Sequence, residues 1–271
     1  MAQLDVTLPY HVRVGSGAPP LVFVHGFGCA HGDWHAQLVQ FGATRTAVAC
    51  DLRGHGATAG RPAECSIETY GADVAELLRA LDLPRAVLVG HSMGCRVVLQ
   101  AALDAPGRVA GLVLIDGSRL GEGEAAAAAR AAGEMIEAQG GYAAFAQQLF
   151  EGMFLPTGDP ALRDRIVARA RALPEAVGAA LFARMVAWDA VNMARALSAV
   201  RQPLMVIQST YMNPERVRVS LRPGETTPWL DLVRACAPRA RIEIVGGVGH
   251  FAQLEAADEV NRLLEGFVQA L

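Results

Sequence analysis

The chain has 271 residues, of which 52% are hydrophobic and 19% charged, so it can form one large globular domain or one domain that carries an insertion. Its formal net charge of −3 provides no broad basic surface for nucleic acid. No apolar run approaches the roughly 18 residues that span a bilayer, and the first residues do not read as a secretory leader. We therefore expect a cytoplasmic protein without a nucleic-acid or membrane partner.

The cysteines and loops do not predict a cofactor. The five cysteines are odd in number and include no C-x-x-C pair, so neither a disulfide framework nor a zinc site is indicated. Cys50 and Cys95 are expected to pack as small apolar residues. A phosphate-binding loop and a dinucleotide fingerprint are also missing from the sequence. We expect chemistry that needs neither a metal nor another cofactor.

Apolar segments typical of strands alternate with helical segments along most of the chain. A helix is predicted from Ser66, which suits the N-cap, with Glu68 in the first turn, and a last helix is predicted from about Glu255 to Ala270. This alternation predicts an α/β fold with a mostly parallel, doubly wound sheet. The predicted strands are 21–26, 45–52, 86–90, 111–116, 203–209 and 241–247.

One region breaks the alternation, because residues 119–200 show only helical patterns. About 80 residues are too many for an ordinary crossover, so we predict a helical cap over the carboxyl edge of the sheet, where open α/β sheets bind ligands. Residues 1–118 and 201–271 would then form the core domain. Most large apolar residues of the cap should pack internally, with two or three lining a pocket. These residues are Phe145, Phe150, Met153, Phe154, Phe182, Met185, Trp188 and Met193.

The segment "GHSMG" at 90–94 joins a predicted strand to a predicted helix. Its two glycines allow a tight bend in which side chains would collide, and this bend would expose the hydroxyl of Ser92 at the head of the helix. The alternative is an ordinary N-cap serine. Two other Gly-rich turns favour the first interpretation. "HGFG" at 25–28 can aim a backbone N–H at an oxyanion, and "GGVGHFAQ" places His250 where its imidazole can reach the serine.

These segments occur in a fixed order with "DLRGHG" at 51–56 and "LVLIDGS" at 112–118, and together they resemble the α/β-hydrolase family over almost the whole chain. The resemblance implies that Ser92 is the nucleophile and His250 its general base. It also implies an oxyanion hole formed by the backbone N–H groups of Phe27 and Met93. A base is needed because a serine hydroxyl is a poor nucleophile at neutral pH, and an imidazole with a pKa near 6.5 suits that task.

The third member of the triad departs from the commonest family pattern. The usual position, just beyond the strand at 203–209, reads "TYMN" and offers no carboxylate. Some members of the family carry the acid where Asp116 closes the strand at 111–116. The alternative role for Asp116 is to cap the loop that leads into the insertion. We favour Asp116 as the acid, with Glu225 as the second candidate and Glu215 and Asp231 as further ones.

The roles of two groups of residues remain open. Arg216, Arg218 and Arg222 follow an alternating pattern and could bind an anionic substrate group, although a solvated face is the more frequent outcome. The other histidines are assigned to loops or to the surface, with His25 and His55 expected to shape Gly-rich loops.

The leading interpretation is a serine hydrolase that cleaves a small carboxylic ester, lactone or thioester through an acyl-enzyme. One alternative is a C–C bond hydrolase of the meta-cleavage product type that uses the same residues. Another is a ligand-binding member of the fold with little turnover. A serine in the bend argues against haloalkane dehalogenase and epoxide hydrolase chemistry, which needs a carboxylate there. The sequence leaves the substrate and the oligomeric state open.

Overall fold

The structure is a computed structural model that describes residues 8–213, 215 and 217–271. It is built around a seven-stranded sheet and a separate two-stranded hairpin. The strands of the described residues are β1 (His11–Val14), β2 (Leu21–Val24), β3 (Ala47–Cys50), β4 (Ala86–His91), β5 (Val109–Ile115), β6 (Leu204–Gln208), β7 (Thr210–Met212), β8 (Arg218–Ser220) and β9 (Arg241–Ile244).

The large sheet has the strand order β1-β3-β2-β4-β5-β6-β9. Every neighbouring pair is parallel except β1 and β3, which pair antiparallel at one edge. The strands β2, β3, β4, β5 and β6 are buried along their whole length, as their continuous apolar sequences require in a sheet that is covered on both faces. The predicted fold class is therefore confirmed, and the carboxyl ends of the parallel strands lie together at one edge.

Helices flank the sheet and fill the segment between β5 and β6. Ser66 caps its helix as predicted, because its hydroxyl accepts a hydrogen bond from the Thr69 N–H at 3.2 Å. The helices are α1 (His35–Gly42), α2 (Ile67–Ala80), α3 (Met93–Asp104), α4 (Ala125–Ala138), α5 (Tyr142–Glu151), α6 (Pro160–Arg171), α7 (Glu175–Ala199), α8 (Pro228–Cys236), α9 (Ala252–Glu255) and α10 (Ala257–Gln269). None of the helices in the described part of the chain is both long and apolar enough to cross a bilayer.

The six predicted strands are all present, but three details differ from the sequence analysis. The edge strand β1 and the strand β7 were not predicted, because three or four residues at an edge carry no long apolar run. The last predicted helix is divided at Ala256, whose φ of −135° and ψ of 49° lie outside the helical region. The alternating segment near Arg218 forms β8, and its pairing with β7 in a separate hairpin was not predicted.

Residues 119–200 contain the helices α4 to α7 and no strand, and we call them the helical insertion. Its large apolar side chains named above are all buried. The insertion contacts loops that follow the strands of the large sheet. The Met153 carbonyl accepts a hydrogen bond from the His250 N–H at 2.8 Å, and the ring of Phe182 lies 5.8 Å from that of Phe27. The insertion therefore lies against the carboxyl edge of the sheet.

Candidate active site

Ser92 lies in the sharp turn between β4 and α3, with φ of 53° and ψ of −112°. The turn brings backbone segments so close together that two of its positions have no room for a side chain. A Cβ on Gly90 would lie 2.3 Å from the Gly94 carbonyl oxygen, and a Cβ on Gly94 would lie 2.3 Å from the Val24 carbonyl oxygen. The Ser92 hydroxyl makes no capping hydrogen bond, so the ordinary N-cap interpretation does not hold. The strained turn leaves this partly exposed hydroxyl free of a structural role.

Ser92 also lies at a site suited to negative charge. Its N–H donates to the Ile115 carbonyl at 2.9 Å, which fixes the turn to the neighbouring strand β5. Met93 is the first residue of α3, and the first N–H groups of a helix have no partner within it. These donors and the helix dipole favour an anion at this end of α3.

The loop at residues 25–29 passes beside Ser92, and we call it the oxyanion loop because the sequence resemblance implies an oxyanion donor at Phe27. A Cβ on Gly26 would lie 3.2 Å from the Cβ of Ser92. The Gly26 carbonyl accepts hydrogen bonds from the Cys29 N–H at 3.2 Å and from Nδ1 of His25 at 2.7 Å. Because a trans peptide is planar, fixing the Gly26 carbonyl also fixes the Phe27 N–H, which points the opposite way.

His25 and His55 hold this loop as neutral imidazoles. Nε2 of His25 accepts from the Leu52 N–H at 3.0 Å, so the proton lies on Nδ1. Nε2 of His55 likewise accepts from the Gly28 N–H at 3.1 Å. Burial lowers the pKa of His25 to about 4 and that of His55 to about 3. Both contacts agree with the loop-shaping role expected from the sequence.

His250 follows β9 and is buried beside Asp116. Its Nδ1 lies 3.8 Å from Oδ2 of Asp116, and its exposed fraction is 6%. Burial, followed by the positive charge of Arg218, holds the pKa of His250 well below its usual value. Neither ring nitrogen of His250 makes a hydrogen bond to another described residue. One of the two side chains must therefore move before the Ser92 hydroxyl can hydrogen-bond to His250. Hydrogen bonds between catalytic groups often tighten only when substrate binds.

His91 is a residue whose role sequence reasoning missed. Its Nε2 donates to the His250 carbonyl at 2.8 Å, and the two imidazole rings lie 4.9 Å apart. His91 directly precedes Ser92, so one side chain links the turn at Ser92 to the loop that carries His250. The signal was only its position in "GHSMG", because its partner lies 159 residues away.

Asp116 is fully buried at the end of β5, where its φ is 46°. Its Oδ1 accepts from the N–H groups of Ser209 at 2.7 Å and Thr210 at 3.4 Å, and its Oδ2 accepts from the Ser209 hydroxyl. Burial raises the pKa of Asp116 to about 7, and the bonds from Ser209 oppose that rise. The chain after β6, where the family usually carries its acid, instead supplies donors to Asp116.

The other candidate acids lie elsewhere. Glu225 is exposed and accepts a hydrogen bond from the Arg222 N–H at 2.8 Å, which closes a surface turn. Glu215 is exposed too, and Asp231 accepts from Thr226 at the surface. None of the three carboxylates bonds to His250 within the described residues.

The three arginines of this region differ from one another. Arg218 does not belong to a solvated face, because its Nε donates to the Gly152 carbonyl and its Nη1 to the Thr210 hydroxyl, each at 2.9 Å. Arg222 is exposed, and Arg216 lies outside the described residues. Arg218 therefore ties the β7–β8 hairpin to the insertion and lends positive charge to the surroundings of Asp116 and His250.

The comparisons with known proteins fit this site. The chain belongs to the alpha/beta hydrolase family, whose sequence model matches residues 21–263. Within the described residues, no group of three or more histidine, cysteine or acidic side chains is placed to hold a metal ion.

Several proteins are similar to this chain. The dihydrolipoyllysine-residue acetyltransferase component of the acetoin cleaving system of Pseudomonas putida is 30% identical over 267 residues, which are 94% of this chain and 65% of that protein. The putative carbamate hydrolase RutD of Klebsiella pneumoniae is 39% identical over 102 residues, 37% of this chain and 38% of that protein. This chain thus spans less than two thirds of the length of either relative.

A solved structure matches over nearly its full length. The protein Est816, described as an N-acyl homoserine lactone degrading enzyme, is 28% identical, with a TM-score of 0.77 and coverage of 95% of this chain and 96% of that one. The proteins similar to this chain thus include an N-acyl homoserine lactone degrading enzyme and a putative carbamate hydrolase.

Proposed function

We propose that the protein is a serine hydrolase that cleaves a small carboxylic ester, lactone or thioester through an acyl-enzyme. The observation that carries this proposal is the strained turn at Ser92. It presents a hydroxyl without a structural partner, close to both the oxyanion loop and the His91–His250 contact. Strain of this kind costs of order 1–3 kcal/mol and is kept where it serves a site.

The proposed roles follow from geometry and charge. His250 takes the proton of the Ser92 hydroxyl as the oxygen attacks the carbonyl carbon, and the Asp116 carboxylate stabilises the imidazolium that forms. The N–H groups of Phe27 and Met93 bind the oxyanion of the tetrahedral intermediate. His250 returns the proton to the leaving alcohol or thiol, and water then releases the acid by the same steps. Burial supports the role of base, since it keeps His250 neutral at pH 7.

The insertion supports a substrate with an apolar part. Tyr142, Phe150 and Phe182 surround the ring of Phe27, with centroids 5.8 to 6.3 Å away. These rings are buried against one another, and an acyl chain or an aryl group bound beside Phe27 would meet the apolar cluster that they form. The similarity to Est816 supports lactones as one class of substrate worth testing, because the two chains match over almost their full lengths.

The test is a substrate series measured with the wild type and Ser92→Ala. The series contains p-nitrophenyl esters of increasing acyl length, acyl homoserine lactones and one vinylogous diketone. We expect ester or lactone turnover, and a loss of at least about 10³-fold in kcat in Ser92→Ala, because the triad acts as a unit. The exposed Ser198→Ala is the matched control and should retain wild-type rates.

Other outcomes would contradict the proposal in different ways. Turnover of the diketone alone would favour the C–C hydrolase. A stoichiometric burst of p-nitrophenol without turnover would favour the ligand-binding alternative. Retained activity in Ser92→Ala, with folding checked by circular dichroism, would exclude Ser92 as the nucleophile.

A further inference from the structure

The oxyanion loop is held by the helical insertion as well as by the core. The aromatic ring of Phe27 lies among three rings of the insertion, as described above. Gly28, the next residue, has φ of +66°, and a Cβ there would lie 2.9 Å from Cζ of Phe150 and 3.0 Å from Cβ of Ala170. Helices α5 and α6 therefore pack directly against the backbone that carries the proposed oxyanion donor.

Arg169 of α6 makes the polar contact between the insertion and this loop. Its Nε donates to the Gly28 carbonyl at 3.2 Å. Its two terminal nitrogens donate to the carboxylate of Asp33 at 2.9 and 2.5 Å. The Asp33 side chain is 6% exposed and the Arg169 side chain 32% exposed. A forked pair of this kind fixes the guanidinium, so Nε is held in place against the Gly28 carbonyl.

Two rigid peptide units lead from Arg169 to the oxyanion donor. The Gly28 carbonyl belongs to the same peptide plane as the Cys29 N–H, which points the opposite way and donates to the Gly26 carbonyl at 3.2 Å. The Gly26 carbonyl in turn shares its plane with the Phe27 N–H. A rotation of the Gly28–Cys29 peptide would break the bond to the Gly26 carbonyl and leave that carbonyl, and with it the Phe27 N–H, held by Nδ1 of His25 alone.

We propose that Arg169 is a positioning residue, which makes the orientation of the Phe27 oxyanion donor depend on the docking of α6 against the core. This inference rests on the proposed function, because it assigns Phe27 to the oxyanion hole. Docking of α6 then completes the orientation of a loop that His25 and His55 hold from the core, so that closing the insertion and completing the site are coupled.

The helices α6 and α7 of the insertion are held to the core by ion pairs that differ in burial. The long helix α7 is tied to α3 by the pair Arg96–Asp189, whose side chains are 1% and 0% exposed. Arg169, by contrast, lines a cleft of about 630 Å³ between α6 and the loop at 54–60. Separating α6 breaks a pair whose arginine already borders this cleft, whereas separating α7 would unpair two fully buried charges, so α6 is the less costly of the two helices to undock.

The test compares Arg169→Met with Arg165→Met, which removes an exposed arginine one turn earlier on the same helix. The probe is the best p-nitrophenyl ester of the series, with active sites titrated by a fluorophosphonate. We expect Arg169→Met to lower kcat by 10-fold or more, towards the 10²–10³-fold typical of a lost oxyanion donor, with KM changed less than threefold. Arg165→Met should stay within twofold of the wild type.

A second readout separates positioning from a loss of stability. Amide hydrogen exchange of the peptide that covers residues 26–30 should become at least tenfold faster at Cys29 in Arg169→Met and unchanged in Arg165→Met. Asp33→Asn should shift kcat and exchange in the same direction by a smaller factor, because it weakens the fork and keeps Arg169. A lower melting temperature with unchanged kcat per titrated site and unchanged exchange at Cys29 would overturn the proposal.

The outcomes also distinguish this inference from the proposed function. If the wild type shows no turnover that depends on Ser92, the proposed function fails, and the exchange at Cys29 alone decides whether Arg169 orders the loop. If turnover depends on Ser92 but Arg169→Met matches Arg165→Met in kcat and exchange, the proposed function stands and the role of Arg169 is excluded.

Discussion

The Asp116 carboxylate, at the end of β5, is bound by residues that follow the neighbouring strand β6. The N–H groups and the hydroxyl that bind it belong to Ser209, which follows β6, and to Thr210, the first residue of β7. Burial nevertheless raises the pKa of Asp116 to about 7. Because the proposed mechanism needs an ionised Asp116 beside a neutral His250, kcat/KM should rise with pH through the region around pH 7.

Asp116→Asn should lower kcat by about 10³- to 10⁴-fold, because the amide cannot compensate the charge of the imidazolium that forms on His250. The rise in kcat/KM near pH 7 should disappear with the carboxylate. Steady-state kinetics on the ester series from pH 5 to 9 would measure both effects.

The matched control for the acid is Glu225→Gln, which should remain within twofold of the wild type because that carboxylate only closes an exposed turn. A near-normal rate in Asp116→Asn together with a large loss in Glu225→Gln would show that Asp116 is not the acid.

At the scale of elements, one buried ion pair joins three parts of the chain. Nε and Nη2 of Arg96 donate to the Asp189 carboxylate at 2.8 and 2.6 Å, and Nη1 donates to the Ser92 carbonyl at 3.1 Å. The Leu120 N–H also donates to Asp189, at 2.7 Å. The turn at Ser92, the start of the insertion and the middle of α7 therefore share a single polar centre.

Removing one charge of this centre should cost about 3–5 kcal/mol of unfolding free energy, because the other charge is left buried without a partner. Arg96→Met and Asp189→Leu should each show that loss, and the double variant should lose less than the sum of the two. Urea unfolding of the four proteins gives the coupling energy directly. Additive losses would mean that the two side chains do not stabilise each other.

The features that could be predicted from the sequence depend on local contacts, and those that could not depend on contacts between distant residues. The central strands were predicted because each is a continuous apolar run, and the turn at Ser92 because its glycines are required by local sterics. The roles of His91, Arg96 and Arg169 were not predicted. Each depends on a partner that is distant in sequence, such as Asp189 for Arg96, and such pairs leave no periodic signal along the chain.

At the scale of the whole molecule, the site is surrounded by neutral imidazoles. Four of the seven histidines, His25, His55, His91 and His250, are buried. Burial lowers the pKa of His25 and His91 to about 4 and that of His55 to about 3, and it holds the pKa of His250 well below its usual value. Each serves as a hydrogen-bonding group or a base in its uncharged form, so protonation would remove what it contributes to the fold.

The protein should accordingly lose stability as the pH falls below about 6.5. In that range the unfolded chain binds protons at these four histidines and the folded chain does not, so the free energy of unfolding decreases with falling pH. Asp116 has the opposite effect on the free energy of unfolding between pH 7 and about 4, because its raised pKa means that the folded chain binds this proton more readily than the unfolded chain. The effect of this one carboxylate is smaller than the combined effect of the four histidines. The net loss from pH 6.5 to 5 should be on the order of a few kcal/mol.

Urea unfolding at pH 7, 6 and 5 measures this loss, and two variants trace it to its source. His55→Gln places a neutral amide near the position of Nε2, where it can accept from the Gly28 N–H, and removes one titrating group. The free energy of unfolding of this variant should therefore fall less steeply with pH than that of the wild type, by about 1.4 kcal/mol per pH unit. His35→Asn removes an exposed histidine and should leave the slope unchanged. A wild-type stability that stays constant or increases from pH 6.5 to 5 would contradict neutral burial of these imidazoles.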